Sequence, residues 1–281
     1  MSWLAEPFTL EFMQRALVAS LIVALLCSVI GCFVVVRGMA FLGDALAHAI
    51  LPGVAVAYLI DTSLLVGGLV AALLVAIGIG FVTRHANFKE DTAIGILFAA
   101  ALALGVVLIS TAGSYAVDLT HILFGNVLGV SKTDLWLTGG IAVGVLTLIV
   151  LFFKEFQLVS FDPVLAHMLD RHPELLRFLL LLLLALTIVV SLQTVGVGLV
   201  AAMLVTPAAA AYLLTRRLAT MMLVSALLGC SASVVGLYVS YYLDVASGAA
   251  IVLTATVLFL VVFVAAPGRG LLARRLGRRA A

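Results

Sequence analysis

Charge is what this chain has least of. Only 10% of its 281 residues are Asp, Glu, Lys or Arg, against roughly 25% in soluble globular domains. A sizeable soluble domain is thereby excluded, and 65% hydrophobic residues with a mean hydropathy of +1.34 describe a polytopic membrane protein. Lysine is scarcer still. Lys89, Lys132 and Lys154 follow Phe88, Ser131 and Phe153, whereas a nucleotide-binding P-loop needs Gly directly before its Lys. If the chain pumps anything, the energy comes from a partner ATPase or an ion gradient. Cys27, Cys32 and Cys230 lie in apolar runs without CxxC spacing and read as small buried side chains, not as a thiolate site or a disulfide. HExxH and GxSxG motifs are absent, and no second mid-span carboxylate could pair with Asp44, so no enzyme is expected. The basic residues form no aromatic-interleaved patch, so nucleic acid is not expected as a partner. The opening MSWLAEPFTLEFMQR lacks a basic start and carries two glutamates before Arg15, so a cleaved signal peptide is not expected either.

Long apolar runs are what the chain has instead. Crossing the hydrocarbon takes about 20 residues of helix, and nine such runs stand out, at about 14–36, 42–60, 63–83, 92–110, 134–153, 175–193, 195–215, 218–241 and 247–266. The connections within 175–215 and 218–266 are very short, so eight crossings plus a broken or re-entrant piece is the alternative. The expected fold is an all-α helical bundle, one transmembrane domain over 1–281. Placing the N-terminus outside gathers thirteen of the fifteen basic residues on the cytoplasmic side and leaves only Arg15 and Lys132 outside, a strong positive-inside bias. The basic tail 267–281 is then cytoplasmic, either touching anionic lipid head groups of the bilayer or simply stopping the last helix.

Within this apolar chain, RGMAFLGDALAHAILPGVAVAYL (37–59) carries Asp44 and His48 four residues apart. On a helix that spacing stacks both on one face, where a carboxylate oxygen and an imidazole nitrogen can meet one ion or proton. Ionisable groups in a membrane span cost roughly 2.5–3.5 kcal/mol each on insertion scales, which makes a transport route the default reading. A buried polar pair that only fixes helix packing is the bland alternative. Pro52-Gly53, one turn on, should break or kink the helix. One oxygen and one nitrogen suit Zn²⁺, Mn²⁺ or Fe²⁺, but are too few to hold the ion tightly, as suits a conduit that must release what it binds.

Three further stretches carry polar or helix-breaking residues. Between the fourth and fifth spans, Asp118 and His121 stand three apart, either as an outer-mouth pair on a short helix or as a solvated loop. Asp61, Asp134 and Asp244 would add a mildly acidic mouth. The polar excursion KEFQLVSFDPVLAHMLDRHP (154–173) is cytoplasmic, and its Asp162-Pro163 reads as a helix start, with Asp capping and Pro in the first helical position. A short helix there suits a docking partner, whereas His167 and His172 are not expected to form a metal site. Gly196, Gly198 and Pro207 should interrupt the span after Leu192, and Ser225, Gly229 and Ser233 form a small-residue packing stripe.

The run MAFLGDALAHAILPGVAVAY closely resembles a signature of the permease subunits of bacterial zinc and manganese ABC importers. LFGNVLGVS (123–131), KEFQLVSFDPVLA (154–166), QTVGVGLVAAMLVTPAAAAYLL and DVASGAAIVL extend the resemblance over essentially the whole chain. It implies a type II importer-like bundle that moves a divalent transition metal and does not itself hydrolyse ATP. It also implies a second permease copy, most simply a homodimer, a cytoplasmic ATPase dimer, an extracytoplasmic metal-binding protein, and residence in the bacterial plasma membrane. By the same resemblance Asp44 and His48 contact the metal in transit, no cofactor is bound permanently, and Phe161, Asp162 and Pro163 touch the ATPase. No family role carries onto His121. A proton-coupled secondary transporter using Asp44 and His48 as a relay, and an ABC permease for a siderophore, haem or cobalamin, are the rival readings. The identity of the metal stays open at this point.

Overall fold

The computed structural model describes residues 6–86, 90–110, 127–169, 171–267 and 270–271. Within them the chain is helical throughout, with no strand. The helices are α1 (Glu11–Val36), α2 (Ala40–Ala49), α3 (Leu51–Leu59), α4 (Leu64–Ala86), α5 (Glu90–Ser110) and α6 (Lys132–Leu151), then α7 (Phe153–Phe161), α8 (Pro163–Met168), α9 (Pro173–Val195), α10 (Val197–Leu214), α11 (Leu218–Leu243) and α12 (Ser247–Ala265). Among the described residues eight segments are long and apolar enough to cross a membrane, α2 and α3 counting together as one. The expected span at 92–110 falls in α5, which has 21 residues with an apolar stretch at Thr92–Leu108. At 1.5 Å per residue that helix is about 31 Å long, enough for a hydrocarbon core of roughly 30 Å.

α1 is the hub. It packs on α10, α11, α6 and α9, and its Phe33, Leu26, Ile30 and Met13 are among the most deeply buried large side chains. Without water to drive apolar faces together, close backbone approach and interhelical hydrogen bonds hold such contacts. Ser225 Oγ donates across to the Ser28 carbonyl at 3.2 Å, so the expected small-residue stripe does pack one helix on another. A second group, α2, α3, α4 and α5, packs among itself, and α9 bridges it to the first through α4 and α2.

Two glycines set the connections. α1 ends in a Schellman turn, in which Met39 N donates to Val34 O and Gly38 N to Val35 O, with Gly38 at φ 70°. α9 passes into α10 through Gly196 alone, at φ 85° and ψ 163°, a region essentially closed to side-chain-bearing residues. Gly196→Ala should therefore destabilise the fold by ~1–3 kcal/mol, read as a lower melting temperature of the purified permease. Of the expected interruptions only Gly196 holds: α10 runs unbroken through Gly198 and Pro207, with Pro207 buried. Neighbouring helices around a buried proline can absorb the lost backbone bond.

The ends of the bundle sort by charge. Glu11 Oε1 meets Arg15 Nη2 at 2.7 Å and Lys132 Nζ at 3.0 Å, which ties the starts of α1 and α6 together. At the opposite end Arg37 lies near Arg177, and burial together with that like charge pushes the Arg37 guanidinium down to about 10, still charged at neutral pH. Following the helices from these two anchors puts Asp61, Asp134 and Asp244 at the first end. Lys154, Arg216 and Arg217 fall at the second.

Candidate metal route and docking elbow

α2 and α3 form one crossing that is broken at Ile50. Pro52 lacks the N–H that would bond the carbonyl of residue 48, four residues back, so α2 ends at Ala49 and α3 restarts with Pro52 in its first turn. The expected break is present, two residues upstream of the Pro-Gly step. Gly105 of α5 crosses here: a Cβ on it would lie 2.9 Å from the Leu51 Cβ and 3.1 Å from the Pro52 nitrogen. α5 is thus held against the break.

Asp44 and His48 share a face of α2, with Nδ1 of His48 3.6 Å from Oδ1 of Asp44. Nδ1 also lies 3.0 Å from the backbone carbonyl oxygen of Asp44. A carbonyl only accepts, so in the neutral ring this contact puts the proton on Nδ1 and the lone pair on Nε2, where a metal can meet it. The two side chains are 45% and 26% exposed for Asp44 and His48, so the pair is open to a ligand rather than sealed in the core. Phe98 of α5 stands edge-on to the His48 ring at 5.8 Å between centroids, and Phe41 stands edge-on to Phe98 at 5.9 Å. Phe98 thus walls one side of the imidazole, with Phe41 packed against Phe98. Neither could be singled out from the sequence, since Phe98 sits in the apolar run GILFAAALALG with no polar neighbour to mark it.

Among the described residues no cluster of three or more His, Cys, Asp or Glu side chains occurs. One copy of this chain therefore brings two metal-competent groups to this face, short of the four ligands of a closed site. A cavity of about 470 Å³ opens nearby between α2, α4, α5 and α9, touching Met39 and Leu42 but neither Asp44 nor His48. Asp118 and His121 lie outside the described residues.

The acidic mouth residues have local work. Asp134 forms a capping box: Ser131 N and Oγ donate to its carboxylate at 3.1 and 2.6 Å, and Asp134 N donates to Ser131 Oγ at 3.1 Å. Asp61 and Asp244 both turn the chain at φ 51°, a conformation Asp tolerates better than most residues.

The 154–173 segment folds as an elbow of two helices. Asp162 Oδ1 accepts from Leu165 N at 2.9 Å, and Pro163 is the first residue of α8, which is the expected capped start. α7 preceding it is a further helix that the polar look of KEFQLVSF conceals. Its signal is the spacing of Phe156 and Val159, both buried, with Phe156 edge-on to Phe33 of α1 at 5.9 Å. α7 thereby anchors the elbow to the hub helix, and Arg171 meets Glu155 at 3.6 Å. On the outer side of the elbow Phe161, Val164 and Met168 are 61%, 64% and 78% exposed. These are large apolar side chains at a polar end of the bundle.

Known proteins resemble the chain over nearly its whole length. The family model described as ABC 3 transport family matches residues 9–266. The chain is 50% identical over 264 residues to the manganese transport system membrane protein MntC of Halalkalibacterium halodurans, covering 94% of this chain and 90% of that one. It is 44% identical over 265 residues to the manganese import system permease protein ScaB of Streptococcus gordonii, covering 94% and 95%. Its fold superposes on a chain of PsaBC from Streptococcus pneumoniae, solved in complex with Fab, with a TM-score of 0.87 at 40% identity over 99% of both chains. The chain belongs to the ABC 3 transport family, as a multi-pass membrane permease of a metal-importing ABC system.

Proposed function

We propose that the chain, as a single transmembrane domain, forms half of the conduit of a manganese importer in a bacterial plasma membrane, with Asp44 and His48 as the transient metal contacts. The juxtaposition of the Asp44 carboxylate with the His48 imidazole, 3.6 Å apart on one face of α2, carries this reading. A second copy, related by a two-fold axis, completes the route by adding its own carboxylate and imidazole, so that two ligands per copy become four around one ion. A carboxylate oxygen and an imidazole nitrogen suit Mn²⁺ without the thiolates that would trap a softer ion. The manganese named for MntC and ScaB supports the choice of cargo over zinc.

The energy comes from a cytoplasmic ATPase dimer bound at the elbow. Phe161, Asp162 and Pro163 form the bend, and the uncovered apolar side chains of α7 and α8 offer the partner a hydrophobic anchor flanked by charge. ATP binding and release would rock the two permeases about the α2–α3 break, with an extracytoplasmic binding protein delivering the ion. The N-terminus lies outside and the basic tail 267–281 in the cytoplasm, supported by the charge sorting of the bundle ends.

Reconstitution with the partner ATPase and binding protein in vesicles tests this. ATP-dependent manganese accumulation that survives a protonophore is the expected result. Accumulation that persists without the ATPase and collapses with the proton gradient would instead identify a secondary transporter. Zinc entering in preference to manganese would overturn the choice of cargo.

A further inference from the structure

A second cavity, about 610 Å³, has no residue of α2 in its lining and so is separate from the Asp44 and His48 face. Its walls are α11 from Ala219 to Cys230, the α6–α7 junction from Leu146 to Phe153, and Leu25 and Val29 of α1, every one an apolar or thiol side chain. It is open sideways, because Val150, Leu223 and Leu227 on its rim are 75%, 62% and 62% exposed. Six residues of α11, spread over the stretch 219–230, line it, about 17 Å at 1.5 Å per residue, close to the roughly 15 Å of one leaflet's hydrocarbon. One end of the groove is basic. Phe153 and Ala219 close that end, with Lys154 next to the first and Arg216 and Arg217 just before the second, all three exposed and without an ion-pair partner among the described residues.

We infer that this groove holds an acyl chain of an anionic phospholipid of the inner leaflet, whose head group is bound by Lys154, Arg216 and Arg217. The charge decides between occupants. A second copy seated here would bring its own three cations to the same end, whereas an anionic head group neutralises them. In the proposed function the second copy lies against the α2 face, and α2 contributes nothing to this groove. The site also gives the elbow a fixed reference at the membrane surface, because Phe153 is both a groove wall and the first residue of α7. The leaflet assignment rests on the orientation proposed above, whereas the binding itself does not.

The test uses the full-length permease purified from vesicles containing equal phosphatidylglycerol and phosphatidylcholine, with retained lipid counted by native mass spectrometry. Wild type should retain phosphatidylglycerol preferentially. Lys154→Gln, Arg216→Gln and Arg217→Gln should each lower that preference about fivefold, the change that ~1 kcal/mol per basic residue represents. Leu227→Trp, at an exposed rim position that leaves the core packing intact, should expel lipid of both kinds. Equal retention of the two lipids by wild type would overturn the inference, as would retention unchanged by the Gln variants or by Leu227→Trp. Dissociation of the permease pair by Leu227→Trp would also overturn it, by making the groove an interface between copies. None of these readouts needs transport, so a failure of the importer reading is recognised separately. Thiol labelling of the Lys154→Cys variant from the outer side would refute the leaflet alone.

Discussion

His48→Ala in the assembled importer should cut manganese uptake at least about tenfold, since even the outer partners of metal ligands are worth ~10–100-fold. Asp44→Ala should do the same. The packing alternative expects a different pattern, namely loss of folded protein in step with loss of uptake. Against it, His48 hydrogen-bonds to its own helix and Asp44 is nearly half exposed, so truncating either leaves no buried group stranded. Alanine also favours helix at both positions. Uptake assays paired with the amount of intact complex separate the two cases. Wild-type uptake by both variants would return the pair to a packing role.

The second large effect should come from the elbow. α8 has only six residues, too few to persist on its own propensity, so its geometry rests on the Asp162 cap and on its packing against α7 and α9. Losing an aspartate cap costs ~0.5–2 kcal/mol, enough to unfold so short a helix. Asp162→Ala should therefore bring metal-stimulated ATP hydrolysis close to its basal rate while the spans stay intact, and deleting residues 161–166 should abolish the stimulation. Stimulation unchanged in both variants would mean that the ATPase grips the permease elsewhere.

How legible the molecule was from its sequence differs from element to element. Asp44 and His48 could be paired because the i, i+4 relation holds on any helix, whatever surrounds it. Asp162-Pro163 could be read because capping is equally local, and the spans because their apolar length alone suffices. The features that failed to show are long-range. Phe98 reaches His48 only because α5 crosses the α2–α3 break at Gly105, a contact between residues far apart in the chain. The helix α7 was hidden because its buried side, Phe156 and Val159, is short and set among polar residues. Pro207 reads as a breaker by itself, but the helices packed around it let α10 continue, and of the expected interruptions only Gly196 turns the chain.

Pulsed electron paramagnetic resonance of Mn²⁺ trapped in the assembled permease pair reads the ligands themselves. A metal held by His48 should show nitrogen coupling from an imidazole, and that coupling should vanish in His48→Ala while a carboxylate-bound signal survives. Mn²⁺ surrounded by water alone, or a nitrogen coupling that persists in His48→Ala, would show that the ion does not pass by this residue.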